Sequence, residues 1–186
     1  MEIFFITGNE FKVELARKKM KLKDGITISR KKIYCPEMQL DKIEDVAKES
    51  ARFAANELNQ PCMKNDSGLI ISALKGFPGP YTKFIEETIT EEGVLKLLEG
   101  KENRSAEFVE VLAFCEPKKE PVVFKSVTKM KVHVKKSGNF GWSFDKILIP
   151  EGQEKTLAEF NDDERAKFWN SDGYTELSNY LNKLYS

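Results

Sequence analysis

Histidine and cysteine are scarce in this chain of 186 residues, which contains one His and three Cys. Cys35, Cys62 and Cys115 lie far apart in the sequence and form no metal-ligand spacing. We therefore expect unreactive, partly buried thiols and a reducing, cytoplasmic location. His133 falls in an alternating basic stretch that predicts an exposed strand position, so we build neither a Ser-His-Asp triad nor a zinc site around it.

The chain also lacks an excess of charge and any long apolar run. It carries 30 acidic and 30 basic residues, so its net charge does not attract a polyanion and we expect no nucleic-acid partner. No apolar segment approaches the roughly 20 residues that a membrane-spanning helix needs, so we expect no membrane partner. The first residues predict a strand rather than a secretion signal.

Predicted strands and helices alternate along the whole chain, without repeats or low-complexity linkers. Apolar residues recur every three or four positions in helices predicted over 9–20 and 43–58 and at the C-terminal end. Residues 105–115 and 121–134 alternate as two long antiparallel strands do. This order favours an α/β fold, with a mixed, twisted sheet and flanking helices, in one domain spanning residues 1–186.

The first predicted strand leads directly into a helix through a turn of Thr7, Gly8 and Asn9. At such a corner several backbone N–H groups and the positive end of the helix dipole point at one spot. Lys12 adds a positive charge one helical turn later. The arrangement predicts a phosphate site, and hence a nucleotide or another phosphorylated ligand. The alternative is a well-formed turn in which Asn9 simply caps the helix.

Two acidic residues follow predicted strands further along the chain. Glu37 follows a short strand predicted over 33–34, and Asp66 ends another, predicted over 62–66, before a turn at Ser67 and Gly68. Carboxylates at strand ends gather where open α/β sheets bind ligands, and with phosphate oxygens they would hold Mg²⁺. The alternative is that both acids are ordinary loop and turn residues, since most of the 30 acids must be exposed.

Two further segments have the composition of a ligand site. Gly and Pro residues in 76–80 predict a fixed loop. Lys83, on the following helix, either faces a phosphate or is simply exposed. The stretch 139–145 contains three aromatic rings and ends at Asp145. One ring either stacks on a nucleobase, which contributes about 1–3 kcal/mol, or packs in the core.

Taken in order, four segments resemble the inosine triphosphate pyrophosphatase (Ham1-like) family, whose members act on noncanonical purine nucleotides. The segments are Phe5-Ile6-Thr7-Gly8-Asn9 with Lys12, Tyr34-Cys35-Pro36-Glu37, Asn65-Asp66-Ser67-Gly68 continuing to Phe84, and 140–160. Together they span nearly the whole chain. No single segment is decisive, but the ordered set is specific.

The resemblance implies an elongated, two-lobed α/β fold with a nucleotide cleft, assembled as a homodimer. It implies hydrolysis of a nucleoside triphosphate to the monophosphate and pyrophosphate with Mg²⁺, with inosine and xanthosine triphosphates as preferred substrates. Attack of water on the α-phosphorus mainly requires charge neutralisation and alignment, so no covalent nucleophile is needed. The scarcity of His and Cys is consistent with this chemistry.

The resemblance also implies roles for particular residues. Glu37 and Asp66 would position Mg²⁺, and Asp66 would orient or activate the attacking water. Trp142 would stack on the base, with Asp145 beside the base pocket. The residues that would bind the phosphates and the rest of the substrate are Thr7, Gly8, Asn9, Lys12, Ser67, Lys83 and Arg165.

Two departures from the family pattern affect these expectations. Asn65 stands where the family has a first acid before Ser-Gly, which leaves one negative charge fewer near the metal. Trp169-Asn170-Ser171 stands in place of a Ser-His-Arg triplet whose His and Arg contact the 6-oxo edge of the purine. Hydrogen bonds to charged groups contribute about 1.5–3 kcal/mol each. We therefore expect phosphate chemistry to be kept and base preference to be relaxed or changed.

The altered residues leave two other functions open. One is a nucleotide-binding homologue that has lost turnover, and the other is a pyrophosphatase for a different modified nucleotide. At the altered triplet, Asn170 either reads a base edge, since an amide both donates and accepts, or Asn170 or Ser171 caps the last helix.

Overall fold

The computed structural model describes residues 1–36 and 38–186. Its strands are β1 (Glu2–Ile6), β2 (Thr27–Lys31), β3 (Cys62–Ile71), β4 (Pro78–Gly79), β5 (Ser105–Cys115), β6 (Val122–Val132) and β7 (Leu148–Pro150). Its α-helices are α1 (Glu10–Lys19), α2 (Ile43–Leu58), α3 (Thr82–Thr88), α4 (Thr90–Leu97), α5 (Asp162–Arg165) and α6 (Asp172–Leu184). Short 3₁₀ helices lie at Ser72–Leu74, Ser143–Lys146 and Leu157–Glu159.

The strands form one mixed sheet in the order β2-β1-β3-β5-β6-β7, and β4 pairs with β3. β1 runs parallel to both β2 and β3. β4 is antiparallel to β3, and β7 is antiparallel to β6. The predicted α/β fold with a mixed sheet and flanking helices is therefore confirmed. The long strands predicted over 105–115 and 121–134 correspond to β5 and β6, which are neighbours in the sheet.

The chain divides into two compact units. The first unit comprises Met1–Asp66, Glu110–Ser126 and Ser171–Ser186, and the second comprises Ser67–Val109 and Val127–Asn170. The boundary passes within β3, β5 and β6, so each of these strands contributes residues to both units. A single domain over residues 1–186 stays a prediction.

The core of the first unit fixes the β1–α1 corner. It brings together Phe5 of β1, Val13 and Ala16 of α1, Phe114 of β5 and Tyr174 of α6, none of which is more than 2% exposed. Burying a large apolar side chain contributes about 1.5–3 kcal/mol. Because the strand and the helix both insert side chains into this core, the turn between them is held from both ends.

The second unit has its own core, which supports the aromatic stretch 139–145. Leu69, Ile71, Phe144 and Ile147 are fully buried in it. The rings of Phe108, Trp142, Phe168 and Trp169 pack against this core and are partly exposed. The aromatic stretch is therefore anchored by Phe144, with Trp142 at the margin of the core and Phe140 52% exposed.

The helix predictions from periodicity are confirmed. α2 covers the predicted range 43–58, buries Ala47, Ala51 and Ala54 on one face, and ends where Asn59 takes a left-handed conformation with φ 49°. Among the described residues, no helix has the length and apolar character to cross a membrane.

Two local predictions were wrong. Asp66, Ser67 and Gly68 lie in the middle of a continuous strand, β3, and not in a turn. Gly68 does not adopt the positive φ of a tight turn, and the strand continues to pair with β4 at Leu69 and Ile70. The short strand predicted at Ile33 and Tyr34 is absent, because β2 begins at Thr27 and ends at Lys31.

Candidate functional site

The β1–α1 corner is built by short-range hydrogen bonds of Thr7 and Asn9. Asn9 is the N-cap of α1, and its Oδ1 accepts from the Phe11 backbone N–H at 3.0 Å. The Asn9 N–H donates to Thr7 Oγ1 at 3.0 Å. A Cβ placed on Gly8 would meet no atom within 4 Å. The predicted cap is thus present, and it leaves open space at Gly8 beside the positive end of α1.

Lys12 links α1 to the centre of β3. Its Nζ donates to Asn65 Oδ1 at 2.6 Å, and the Asn65 Nδ2 donates to Glu110 Oε1 of β5 at 2.7 Å. The same Oε1 accepts from the Tyr174 hydroxyl of α6 at 2.8 Å. Four side chains from four elements therefore form one hydrogen-bonded chain, which we call the Lys12–Tyr174 network.

The predicted metal ligands are only partly described. Asp66 is half-buried on β3, directly after Asn65, and Ser67 follows it, also half-buried. Glu37 lies outside the described residues. Within the described ranges, no three His, Cys, Asp or Glu residues are grouped as a metal would require. Asp66 Oδ2 is buried, and a carboxylate oxygen suits a hard divalent cation, since Mg²⁺ takes few protein ligands and keeps waters or phosphate oxygens.

Lys83 lies in the second unit, on a helix whose start is well anchored. Thr82 is buried, accepts from the Leu69 N–H at 2.7 Å and donates to the Gly79 carbonyl at 2.7 Å. This fixes the predicted Gly-Pro loop against β3. The Lys83 side chain is 84% exposed and lies 3.8 Å from Glu87. Its phosphate role stays a prediction.

The Trp142 indole is held at its edges. It meets Phe108 and Phe144 in edge-on contacts, with ring centroids 6.2 and 5.0 Å apart. Burial raises the pKa of the neighbouring Glu86 carboxyl, and a hydrogen bond from the Trp142 side chain opposes the shift. The ring is partly exposed, which is compatible with stacking but does not require it.

Asp145 and Arg165 form an ion pair in the second unit. The Arg165 Nη1 lies 2.8 Å from Asp145 Oδ2, and the two side chains are 16% and 6% exposed. Asp145 Oδ2 also accepts from the Trp142 backbone N–H at 2.9 Å, and Arg165 Nη2 pairs with Asp162. Burial raises the pKa of Asp145, while the Trp142 N–H and the Arg165 charge oppose this shift.

The second carboxylate oxygen of Asp145 differs from the first. Asp145 Oδ1 is buried and has no hydrogen-bond partner among the residues that the structure describes. A buried acceptor without a partner is costly, by about 1–3 kcal/mol. The carboxylate therefore has one oxygen that accepts two hydrogen bonds and one buried oxygen whose hydrogen-bonding capacity is unused among the described residues.

Gly141 makes room for this ion pair. Its φ of +76° is one that side chains rarely adopt, and a Cβ there would lie 2.8 Å from Arg165 Cζ and closer still to Arg165 Nη1 and Asp145 Oδ2. Only glycine combines this backbone conformation with so close an approach. Sequence reasoning missed this role of Gly141.

The altered triplet lies at the start of α6. The Trp169 ring contacts Phe108 edge-on at 5.1 Å, and the Asn170 backbone N–H donates to Thr128 Oγ1 at 3.0 Å. Ser171 occupies the N-cap position of α6, but its side chain makes no capping hydrogen bond. A capping role for the Ser171 hydroxyl is therefore wrong.

The structure brings the predicted residues together in two groups. Thr7, Gly8, Asn9 and Lys12 belong to the β1–α1 corner of the first unit, and Lys12 contacts Asn65 of β3, the residue before Asp66. Trp142, Asp145 and Arg165 meet in the second unit. Sequence reasoning missed Glu110 and Tyr174. The available signal was Glu110 itself, an acid in the otherwise apolar run Val109 to Leu112.

Comparisons with known proteins identify the family. The Ham1 family model matches residues 3–170. A dITP/XTP pyrophosphatase of Methanopyrus kandleri is 43% identical over 167 residues, which cover 90% of this chain and 88% of that protein. An inosine triphosphate pyrophosphatase of Emericella nidulans is 40% identical over 167 residues, which cover 89% of this chain and 87% of that protein.

A solved structure supports the same fold. A HAM1 protein of Coxiella burnetii superposes with a TM-score of 0.85 at 23% identity, covering 98% of this chain and 99% of its own. The family model and the identities of 40% or more each extend over most of the chain, and they confirm the resemblance of the four segments. This chain therefore belongs to the Ham1 family.

Proposed function

We propose that this protein is a nucleoside triphosphate pyrophosphatase that converts deaminated purine nucleotides, such as ITP, XTP and dITP, to the monophosphate and pyrophosphate with Mg²⁺. Relatives about 40% identical are named dITP/XTP pyrophosphatase and inosine triphosphate pyrophosphatase, which supports this substrate class. The observation that carries the proposal is the β1–α1 corner, where a helix start, open space at Gly8 and the Lys12 ammonium occur together.

The phosphates bind at this corner. The Gly8 backbone N–H and the positive end of the α1 dipole favour an anion there. Asn65 orients the Lys12 ammonium at 2.6 Å without neutralising it, because an amide carries no net charge. Thr7, Ser67, Lys83 and Arg165 complete the substrate contacts in the proposal, although Arg165 must then share its guanidinium with Asp145 and Asp162.

Hydrolysis needs a positioned water and charge neutralisation. Glu37 and Asp66 would hold Mg²⁺, which, when bound, neutralises phosphate charge as a Lewis acid. Asp66 orients the attacking water and accepts its proton. The water oxygen bonds to the α-phosphorus while the bond from that phosphorus to the pyrophosphate leaving group breaks, so no protein nucleophile takes part.

The base is held by Trp142 and Asp145. Trp142 offers a partly exposed indole for stacking. Asp145 Oδ1 is buried without a hydrogen-bond partner in the described part of the chain, and it becomes the acceptor once the base displaces the groups that cover it. Hypoxanthine, xanthine and guanine carry a proton on N1 that can be donated to this oxygen, whereas N1 of adenine has none. Arg165 then serves to keep Asp145 ionised and oriented at 2.8 Å.

Base preference is reduced in this proposal rather than absent. Trp169-Asn170-Ser171 supplies neither an imidazole nor a guanidinium, so Asp145 alone distinguishes inosine from adenosine. One hydrogen bond to a charged group contributes about 1.5–3 kcal/mol, or a preference of roughly 10- to 150-fold. A site with a full set of such hydrogen bonds would prefer inosine over adenosine by about 10⁴–10⁵-fold.

A substrate panel tests the proposal. Purified protein with Mg²⁺ is given ITP, XTP, GTP, ATP and pyrimidine triphosphates, and the released pyrophosphate and monophosphate are measured. We expect hydrolysis of ITP and XTP, with a kcat/KM for ITP roughly 10- to 150-fold above that for ATP. No pyrophosphate from any nucleotide would refute the activity, and an ITP preference near 10⁴ would refute the reduced specificity.

The second candidate is a nucleotide-binding homologue without turnover, favoured by the neutral Asn65 beside Asp66. The substitution Asp66→Asn separates the two. In an enzyme it abolishes hydrolysis while nucleotide binding persists, whereas a binding protein has no hydrolysis to lose. Titration calorimetry with a non-hydrolysable ITP analogue measures the binding in both cases.

The assembly and location are also part of the proposal. We propose a cytoplasmic homodimer, as the resemblance implies. Phe84, Ile89 and Leu97 of the second unit are 41–63% exposed, and a dimer interface would cover such side chains. Light scattering coupled to gel filtration measures the mass, and a monomer at micromolar concentration would contradict the dimer.

A further inference from the structure

The Lys12–Tyr174 network contains a carboxylate that the proposed chemistry does not use. Glu110 is half-buried on β5, at the point where the strand enters the first unit. Its Oε1 accepts two hydrogen bonds, from Asn65 Nδ2 at 2.7 Å and from the Tyr174 hydroxyl at 2.8 Å. Asn65, the link to Lys12, is only 8% exposed.

The order of charges along the network fixes the orientation of the Asn65 amide. Its oxygen faces an ammonium and its nitrogen faces a carboxylate. A flipped amide would point its NH₂ at the Lys12 ammonium and its oxygen at the Glu110 carboxylate, and both contacts would be repulsive. Hydrogen bonds to charged groups are about twice as strong as neutral ones. The two charges therefore act together to hold the amide in one orientation.

Tyr174 holds the far end of the network in place. It is 1% exposed and belongs to the core of the first unit. Burial and the nearby Glu110 charge raise the pKa of its hydroxyl, so the phenol stays protonated and remains a donor. The Lys19 ammonium lies 5.9 Å from the centre of its ring on the other side. Glu110 is thus tied to a rigid part of the core.

We propose that Glu110 is a positioning residue for Lys12: through the Asn65 amide it places the ammonium at the phosphate corner, and Tyr174 anchors it. The inference deepens the proposed function and depends on the phosphate role of Lys12. The neutral Asn65 amide connects Lys12 to Glu110 through its two hydrogen bonds. Glu110 supplies the negative charge that an acid at position 65 would otherwise provide.

A double-mutant cycle tests this role. Glu110→Gln keeps the size of the side chain and an oxygen that can still accept from Asn65 and Tyr174, but it removes the charge. We expect kcat/KM for ITP to fall about tenfold in Glu110→Gln. In a Lys12→Ala background the same substitution should change kcat/KM less than about twofold, because the residue it positions is gone. The exposed Glu107→Gln on the same strand is the control and should leave kcat/KM unchanged.

Two results of these measurements would overturn the positioning role of Glu110. If the effects of Glu110→Gln and Lys12→Ala multiply, Glu110 acts on the fold in general and the proposal is overturned. A rescue adds a second readout: Asn65→Asp in the Glu110→Gln background returns a negative charge beside Lys12 and should regain most of the activity. If activity is not regained, the proposal is overturned.

Failure of the activity can be separated from failure of the positioning role. If the wild-type protein hydrolyses no nucleotide, the proposed function fails, and the same cycle is measured on binding of inorganic tripolyphosphate by calorimetry. Non-additive losses of affinity for Glu110→Gln and Lys12→Ala then support the positioning role, and additive losses overturn it. Thermal unfolding of each variant confirms that the protein is folded at the assay temperature.

Discussion

Replacing Gly141 with alanine probes the most crowded point of the candidate base site. The added Cβ would lie 2.8 Å from Arg165 Cζ and would overlap Arg165 Nη1 and Asp145 Oδ2. The ion pair between these two side chains must therefore separate. Gly141 also has a φ of +76°, where an alanine is strained whatever the space around it.

The two costs can be separated with a matched control. Gly152 has nearly the same φ, +78°, but a Cβ there would meet no atom within 4 Å. Gly152→Ala therefore carries only the backbone strain, about 1–2 kcal/mol. Gly141→Ala carries this strain and also loses a charge-assisted hydrogen bond at a mostly buried pair, which adds about 1.5–3 kcal/mol.

Urea unfolding of the two variants measures the difference. Trp142 and Trp169 are the two tryptophans of the chain and both lie in the second unit, so their fluorescence reports on the unit that holds both glycines. We expect Gly141→Ala to lose about 1.5–3 kcal/mol more unfolding free energy than Gly152→Ala. Equal losses, within about 0.5 kcal/mol, would refute the argument that Gly141 makes room for the ion pair.

Two other predictions concern ligand binding. The Gly8→Ala variant should fold with an unchanged melting temperature, because the φ of Gly8 is not in the left-handed range and the added Cβ enters open space. If that space receives a phosphate, the variant should bind tripolyphosphate at least tenfold more weakly. An unchanged affinity in calorimetry would show that the β1–α1 corner is not part of the site. Because burial raises the pKa of Asp145, its protonation on acidification should begin at a higher pH than for an ordinary aspartate. The ITP-to-ATP ratio of kcat/KM should therefore fall as the pH drops, and titration of the triphosphate cancels in this ratio because both nucleotides share it. A ratio that does not change with pH would contradict the role of Asp145. The same pH dependence of the ratio in Asp145→Asn would also contradict it.

Local chemistry accounts for the parts of the site that sequence predicted well. Asn9 caps α1 because its side chain reaches an N–H only two residues away. The periodic alanines of α2 determine one buried face. Such contacts span a few residues, so their geometry follows from residue type and spacing. The four ordered segments also identified the family without any coordinates.

The parts of the site that the sequence did not predict depend on contacts between residues far apart in the chain. Glu110 meets Asn65 across 45 residues and Tyr174 across 64. Its place in an apolar run makes it unusual, but no local pattern predicts which distant side chains it contacts. Arg165 illustrates the same limit: the resemblance implied a substrate contact, and only the structure shows that its guanidinium pairs with Asp145 and Asp162. The pairing of β3 with β4 likewise overrode the turn preference of Ser67 and Gly68.

The amino-acid sequence by itself determined the α/β class, the helix start at the β1–α1 corner and the family, because caps, periodicity and ordered motifs act over short distances. Only the tertiary structure decided which charges meet. Folding brings distant side chains within 3 Å of one another at the Lys12–Tyr174 network and at the Asp145–Arg165 pair. At that distance and away from water, a neighbouring charge decides what each group can bind.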